Sequence, residues 1–277
     1  LLIKGDFKQG AFKATLDFNQ QEIQQQETKK LQDPKEPIPY VQDEVTIYNR
    51  TEDFNLSGTL THPEQDKLIK TPCVILITGS GPQDRNEEIL GHRPFLVLAD
   101  QLTRSGYGVL RMDDRGTGKS EGVFNGATSK DFVTDIEGAI AFVKTLSYID
   151  TQKIILMGHS EGGMIANMVA AKHPEVYGVI SLAGPGVLGS DLLKEQQVLI
   201  SKAMGASEKE LKQIKSFSDS FYPLLTMDSM HLVKQKAELF LTQFAKGIKR
   251  KQLRESGVKD RSTWVKMNSD AYINPWM

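Results

Sequence analysis

The densest chemical signal in the sequence is Gly158-His159-Ser160-Glu161-Gly162-Gly163, which follows the apolar run KIILM and precedes MIANMVAA. A serine hydroxyl is a weak nucleophile until the backbone presents it and a base takes its proton. A G-x-S-x-G pattern between a strand and a helix makes that presentation. The serine takes a strained conformation, and the flanking glycines permit close packing. Ser160 is the candidate nucleophile, and the Glu161 N–H, at a helix start, is a candidate donor to an oxyanion. A second signal, Thr78-Gly79-Ser80-Gly81-Pro82-Gln83-Asp84-Arg85-Asn86, comes directly after the run CVILI. Small residues at the carboxyl end of a strand expose backbone N–H groups, so Ser80 or Gly81 supplies the second donor. Asp84 and Arg85 are expected to form a structural ion pair.

The third signal, Asp113-Asp114-Arg115-Gly116-Thr117-Gly118-Lys119-Ser120, ends like a phosphate-binding loop. Its spacing refuses that role, because the first glycine of such a loop would fall on Asp113, whose carboxylate repels phosphate. The histidines divide by position. His173 lies 13 positions after Ser160 on the same helix, which at 1.5 Å per residue is roughly 20 Å away. His159 adjoins the serine but diverges from it, and reads as packing or structural, with substrate binding as its candidate functional role. His92, in the loop after CVILI, and His231 remain candidates either for the base or for lining the pocket. His62 belongs to an early hairpin. His92 and His159 are thus the candidate substrate-binding residues. No Cys/His grouping has metal-ligand spacing, and Cys73 is a lone cysteine. No metal or cofactor is expected.

The elements that must position these residues are legible as periodicity. The runs at 73–79, 108–114, 153–160 and 177–184 are apolar without alternation, and PFLVLADQLTRSG, DFVTDIEGAIAFVKTL and GGMIANMVAAKHP between them have helical spacing. Buried strands alternating with helices predict an α/β core, a parallel sheet covered on both faces. Before it, LLIKGDFKQGAFKATLDF (1–18) reads as a β-hairpin, and 19–40, with six Gln and Pro34, Pro37 and Pro39, reads as a linker. A further hairpin, turning at Thr51-Glu52-Asp53, opens the 41–190 core. From 191 to 266 the strand signal disappears into helices broken near Gly205, Pro223 and Gly257.

Composition sets the outer limits. A net charge of −1 offers no field for nucleic acid, although the 191–266 segment alone carries +6. No apolar run is long enough to span a membrane. Small molecules are the expected partners, and oligomeric state is not legible.

Together the three motifs resemble the α/β-hydrolase superfamily, with Ser160 in the nucleophile elbow and TGSGPQDRN in the oxyanion position. More narrowly, GSGPQDRNE, HRPFLVLADQL, GHSEGGMIA and LAGPG resemble a bacterial branch of esterase and serine-aminopeptidase-like hydrolases. The resemblance covers about residues 1–200 and resumes weakly at Asn274-Pro275-Trp276. It implies an α/β-hydrolase fold in which 1–18 ends a small β domain, 191–266 forms a helical cap and 267–277 begins the return to the core. It also implies hydrolysis of a small carboxylic ester through an acyl-enzyme, with a serine aminopeptidase-like activity as the alternative, and an exported enzyme. The family's triad runs Ser, then Asp or Glu, then His, on later strands. Only 117 residues follow Ser160, and the cap uses 76 of them. The expectation is a chain cut at both ends, lacking the C-terminal strands that carry acid and base, and poorly active. A binding module that kept the fold without the chemistry is the reading from outside enzymology.

Overall fold

The computed structural model describes residues 2–9, 12–19, 32–64, 70–226, 230–255 and 257–272. The chain divides into two compact units, Glu27–Gly186 and a second made of Leu1–Gln26 with Val187–Met277. In the second unit, strands β1 (Leu2–Gln9) and β2 (Phe12–Asn19) pair antiparallel from Leu2↔Asn19 to Gln9↔Phe12. Most of the expected linker, residues 20–31, and the Asn274-Pro275-Trp276 tail lie outside the described residues.

The Glu27–Gly186 unit holds β3 (Tyr40–Asn49), β4 (Phe54–Pro63), β5 (Thr71–Ile77), α1 (Pro94–Arg104), β6 (Gly108–Met112), α2 (Ser129–Val143), β7 (Ile149–His159), α3 (Glu161–Lys172) and β8 (Gly178–Leu182). Its six strands form one sheet in the order β3-β4-β6-β5-β7-β8. The β3–β4 and β4–β6 pairs are antiparallel, and β6, β5, β7 and β8 run parallel. The absence of alternation in β5 now has its cause. Cys73, Ile75 and Ile77 pack into a core with Ile136 and Ile140 of α2 and Ile165 of α3, whereas Val74 and Leu76 face Phe95 and Ala99 of α1. Both faces are covered, so both parities must be apolar. The chain steps from β5 to β6 on one side and to β7 on the other, and a crevice at the carboxyl ends of the strands follows from that reversal. Ile77 pairs with Gly158, so the loops leaving β5 and β7 are neighbours. Among the described strands β8 pairs only with β7, and Ile180 on it is 40% exposed.

One buried ionic network ties the β3–β4 turn to α2. Arg115 donates through Nε to Asp135 Oδ2 (2.9 Å) and through both terminal nitrogens to the Glu52 carboxylate (2.8 and 2.9 Å). Asn49 donates to Asp135 Oδ1 (2.7 Å), while its own Oδ1 accepts the Thr51 and Glu52 N–H groups. The Arg115 guanidinium also lies over the Phe54 and Phe132 rings.

The helical part of the second unit contains α4 (Gly189–Ala203), α5 (Glu208–Phe221), a short 3₁₀ turn (Tyr222–Thr226), α6 (Met230–Lys246), α7 (Arg250–Glu255) and α8 (Arg261–Tyr272). Phe217, Phe221, Leu241 and Trp264 form its core. Helix α4 starts at Gly189 and α8 runs on past residue 266. Near the end of α8, Asn268 is fully buried and donates to the Trp264 carbonyl (2.8 Å), and Ser269 donates to Glu238 Oε1 on α6 (3.2 Å).

Removing one partner of a buried ion pair strands the other. Arg115→Met is expected to cost about 3–5 kcal/mol by leaving Asp135 buried and uncompensated. Urea unfolding checks this, and a loss below about 1 kcal/mol would mean that Asp135 finds water or another donor.

Candidate active site

The elbow is built by a strand and a helix that leave one residue to turn between them. Strand β7 ends at His159, α3 begins at Glu161, and Ser160 sits between with φ 51 and ψ −118. A left-handed serine costs about 1–3 kcal/mol, so its surroundings must impose it. They do so by close approach. A Cβ on Gly158 would stand 2.0 Å from the Gly162 carbonyl oxygen, and one on Gly162 would stand 2.2 Å from that of Ile77. Only glycine fits at either position. The Ser160 N–H donates to Leu182 O on β8 (2.9 Å), and its carbonyl accepts the Gly163 N–H (3.0 Å).

The β5 loop lies directly against this turn: a Cβ on Gly79 would come 3.3 Å from Ser160 Cβ and 3.3 Å from the His159 carbonyl oxygen. The Gly79 N–H is already committed, donating to Glu87 Oε1 (2.8 Å). Among the described residues the N–H groups of Ser80, Gly81 and Glu161 have no partner, and Gly81 adopts φ 95. The second and first motifs are therefore brought together where Gly79 meets Ser160, and the N–H groups of Ser80, Gly81 and Glu161 are left unclaimed.

The DDRGTGKS motif turns out to anchor that loop. Asp114 accepts the Thr78 hydroxyl on Oδ1 (2.5 Å) and the Gln83 N–H on Oδ2 (2.9 Å). Asp113 accepts Arg85 three times, from N (2.9 Å), Nε (3.0 Å) and Nη2 (2.7 Å). Gly118, at φ 56, folds back so tightly that its Cβ would lie 2.5 Å from Asp113 Oδ2, and the Ser120 hydroxyl donates to the Asp113 carbonyl (2.7 Å). The expected Asp84–Arg85 pair is corrected. Arg85 reaches Asp113 and Glu44, while Asp84 Oδ1 accepts the N–H groups of Asn86 (3.1 Å) and Glu88 (2.9 Å). A short carboxylate in a turn is satisfied by its own backbone, and a fork of guanidinium donors is satisfied by a carboxylate facing it.

The electrostatics of the two neighbouring aspartates diverge. Burial raises both, but the Arg85 hydrogen bonds hold Asp113 below the usual carboxylate range. Burial pushes Asp114 up to about 7; the bonds from Thr78 and Gln83 oppose this, and Asp135 and Glu87 add to it. A cavity of about 30 Å³, lined in part by Thr78, Gly79, Asp114, Phe124 and Glu161, lies beside the loop. That is room for one water-sized group. Glu161 turns its carboxylate to the Ser129 hydroxyl (2.6 Å).

The histidines are placed as follows. His159 Nδ1 lies 2.8 Å from Glu87 Oε1, in a site whose imidazole is 46% exposed and whose carboxylate is buried. The contact agrees with a structural role for His159, but its partner Glu87 was not legible, because an acid directly after TGSGPQDRN looks solvated. His92 closes a tight turn by exchanging backbone hydrogen bonds with Ile89, with Nδ1 3.4 Å from Gln32 Nε2. His173 lies between Glu137 and Glu175, and the His62 ring packs tilted against that of Tyr148. The side chain of His231 is outside the described residues. The Ser160 hydroxyl bonds to no described side chain.

Residues 93–272 match the family described as Serine aminopeptidase, S33. The chain belongs to this family. As a member of it, the chain has the α/β-hydrolase fold, a mostly parallel sheet with helices on both faces. This serine aminopeptidase family member is 33% identical over 119 residues to the 2-hydroxy-6-oxononadienedioate/2-hydroxy-6-oxononatrienedioate hydrolase of Escherichia coli (strain K12), covering 43% of this chain and 38% of the relative. It is 25% identical over 166 residues to Esterase EstD of Thermotoga maritima, covering 60% of this chain and 38% of that protein. The chain thus spans 38% of the length of these curated relatives. Among solved structures it is similar to esterase Pf2001 of Pyrococcus furiosus, with TM-score 0.47 and 22% identity over 65% of each chain.

The raised Asp114 carboxyl makes stability depend on pH. The folded state keeps a proton that the unfolded state, with its ordinary value of 3.8, has released, so stability falls as pH rises from about 4 through about 7. Between pH 5 and 8 the loss from this group is about 3 kcal/mol. Asp114→Asn is expected to flatten the urea-unfolding profile over that range by a comparable amount. Parallel profiles for the two proteins would refute the assignment.

Proposed function

We propose that this chain carries the nucleophile and oxyanion hole of a serine hydrolase acting on carboxylic esters. The reading rests chiefly on Ser160, held left-handed between strand and helix, and is supported by the unclaimed N–H groups of Glu161, Ser80 and Gly81. The serine oxygen attacks the acyl carbonyl as its proton passes to a base outside the described side chains. The carbonyl oxygen becomes an oxyanion, the Glu161 N–H and that of Ser80 or Gly81 stabilise it, and collapse expels the alcohol to leave an acyl-enzyme that water hydrolyses. Each such donor is worth about 10²–10³-fold in rate. No step calls for a cofactor. The esterase name of the Thermotoga relative supports an ester, and the family description supports an aminopeptidase as the second reading.

A fluorophosphonate probe tests the nucleophile, with p-nitrophenyl butyrate and an aminoacyl p-nitroanilide as competing substrates. Wild-type chain is expected to label, Ser160→Ala to remain unlabelled, and butyrate turnover to fall by roughly 10³-fold or more in the variant. Faster turnover of the anilide would favour the peptidase. Labelling that survives Ser160→Ala would reject the proposal.

A further inference from the structure

Glu87 combines two features that a protein does not maintain on one residue without cause. Its backbone is left-handed, at φ 52, although it is not glycine. Its carboxylate is buried, yet among the described residues no lysine or arginine contacts it. A buried carboxyl lacking a strong cation and a strained backbone are both destabilising, and such combinations concentrate at functional sites. One oxygen of this carboxylate, Oε1, serves two separate elements. It accepts the Gly79 N–H from the loop after β5 (2.8 Å) and bonds His159 Nδ1 at the end of β7 (2.8 Å).

The consequence is geometric. Gly79, Ser80 and Gly81 present three successive N–H groups, of which the first is turned onto Glu87. Fixing that peptide plane fixes the origin from which the next two are aimed. The same oxygen holds the residue immediately before Ser160. A Cβ at Gly79 would lie 3.2 Å from Glu87 Oε1 and 3.3 Å from Ser160 Cβ, so carboxylate, loop and elbow meet at one point. The Glu87 backbone is itself pinned, its N–H donating to the Asp84 carbonyl (2.9 Å).

We propose that Glu87 is a positioning residue whose single oxygen sets the spacing between the oxyanion loop and the nucleophile elbow. It acts through Gly79 and His159 and does not touch the substrate. The assignment builds on the reading of Ser160 as nucleophile. Oxyanion donors act only if they are already aimed where charge develops, so loss of the strut is expected to lower kcat and leave KM nearly unchanged.

The test uses the full chain with Glu87→Ala, which removes the acceptor, and Glu87→Gln, whose amide oxygen can still accept both N–H groups. Backbone amide exchange at Gly79 is followed by NMR, beside p-nitrophenyl butyrate kinetics normalised to folded protein. In Glu87→Ala, Gly79 exchange is expected to accelerate at least about tenfold and kcat to fall about 10²-fold, the scale of one lost oxyanion donor. Glu87→Gln is expected to restore Gly79 protection and to recover at least about tenfold of the lost kcat. Unchanged Gly79 exchange in Glu87→Ala would overturn the strut, as would a Glu87→Gln protein as unprotected as Glu87→Ala. If Glu87→Ala does not fold, Glu87→Gln and His159→Ala carry the same test, the latter losing only the elbow arm. Failure of the nucleophile reading appears separately, as turnover unaffected by Ser160→Ala, and Gly79 exchange would still report on the strut.

Discussion

The contact between Gly158 and Gly162 is the constraint on which the site depends. Strand β7 and helix α3 can be joined by a single residue only if the backbone on either side of it comes closer than any side chain permits. Once they are so joined, Ser160 has no choice but a left-handed conformation, and the first N–H groups of the helix have no helical partner. The presentation of Ser160 and the freeing of the first helix N–H groups are thus two results of one steric fact. The sheet supplies the rest, because β5 lies beside β7 and delivers its own loop to the same place.

That loop is composed of residues with little intrinsic shape, and its order comes from carboxylates outside it. Asp113 takes Arg85, Asp114 takes Thr78 and Gln83, and Glu87 takes Gly79. Hydrogen bonds from backbone N–H to a carboxylate are stronger than neutral ones, so a few of them can define a glycine-rich segment. The arrangement also explains why so many acids gather where a negative oxyanion is expected to form. Their oxygens are occupied by the loop, and the Arg85 guanidinium neutralises one of them.

Much of this was readable in advance where the signal is local. Glycine spacing around Ser160, the apolar run CVILI and the small residues after it located elbow and loop, because close approach and strand burial are written in residue type. Partner choice was not readable. Arg85 passes over adjacent Asp84 for Asp113, a pairing that exists because β6 runs next to β5. Glu87 escaped notice for a similar reason, since burial of an acid in a turn is decided by what folds over it.

Strand β8 has one consequence for the serine itself. The Ser160 N–H is held by Leu182, the last residue of a strand that has a neighbour on one side only among the described strands. That bond couples Ser160 to a third element, so whatever fixes the end of β8 also fixes the serine backbone.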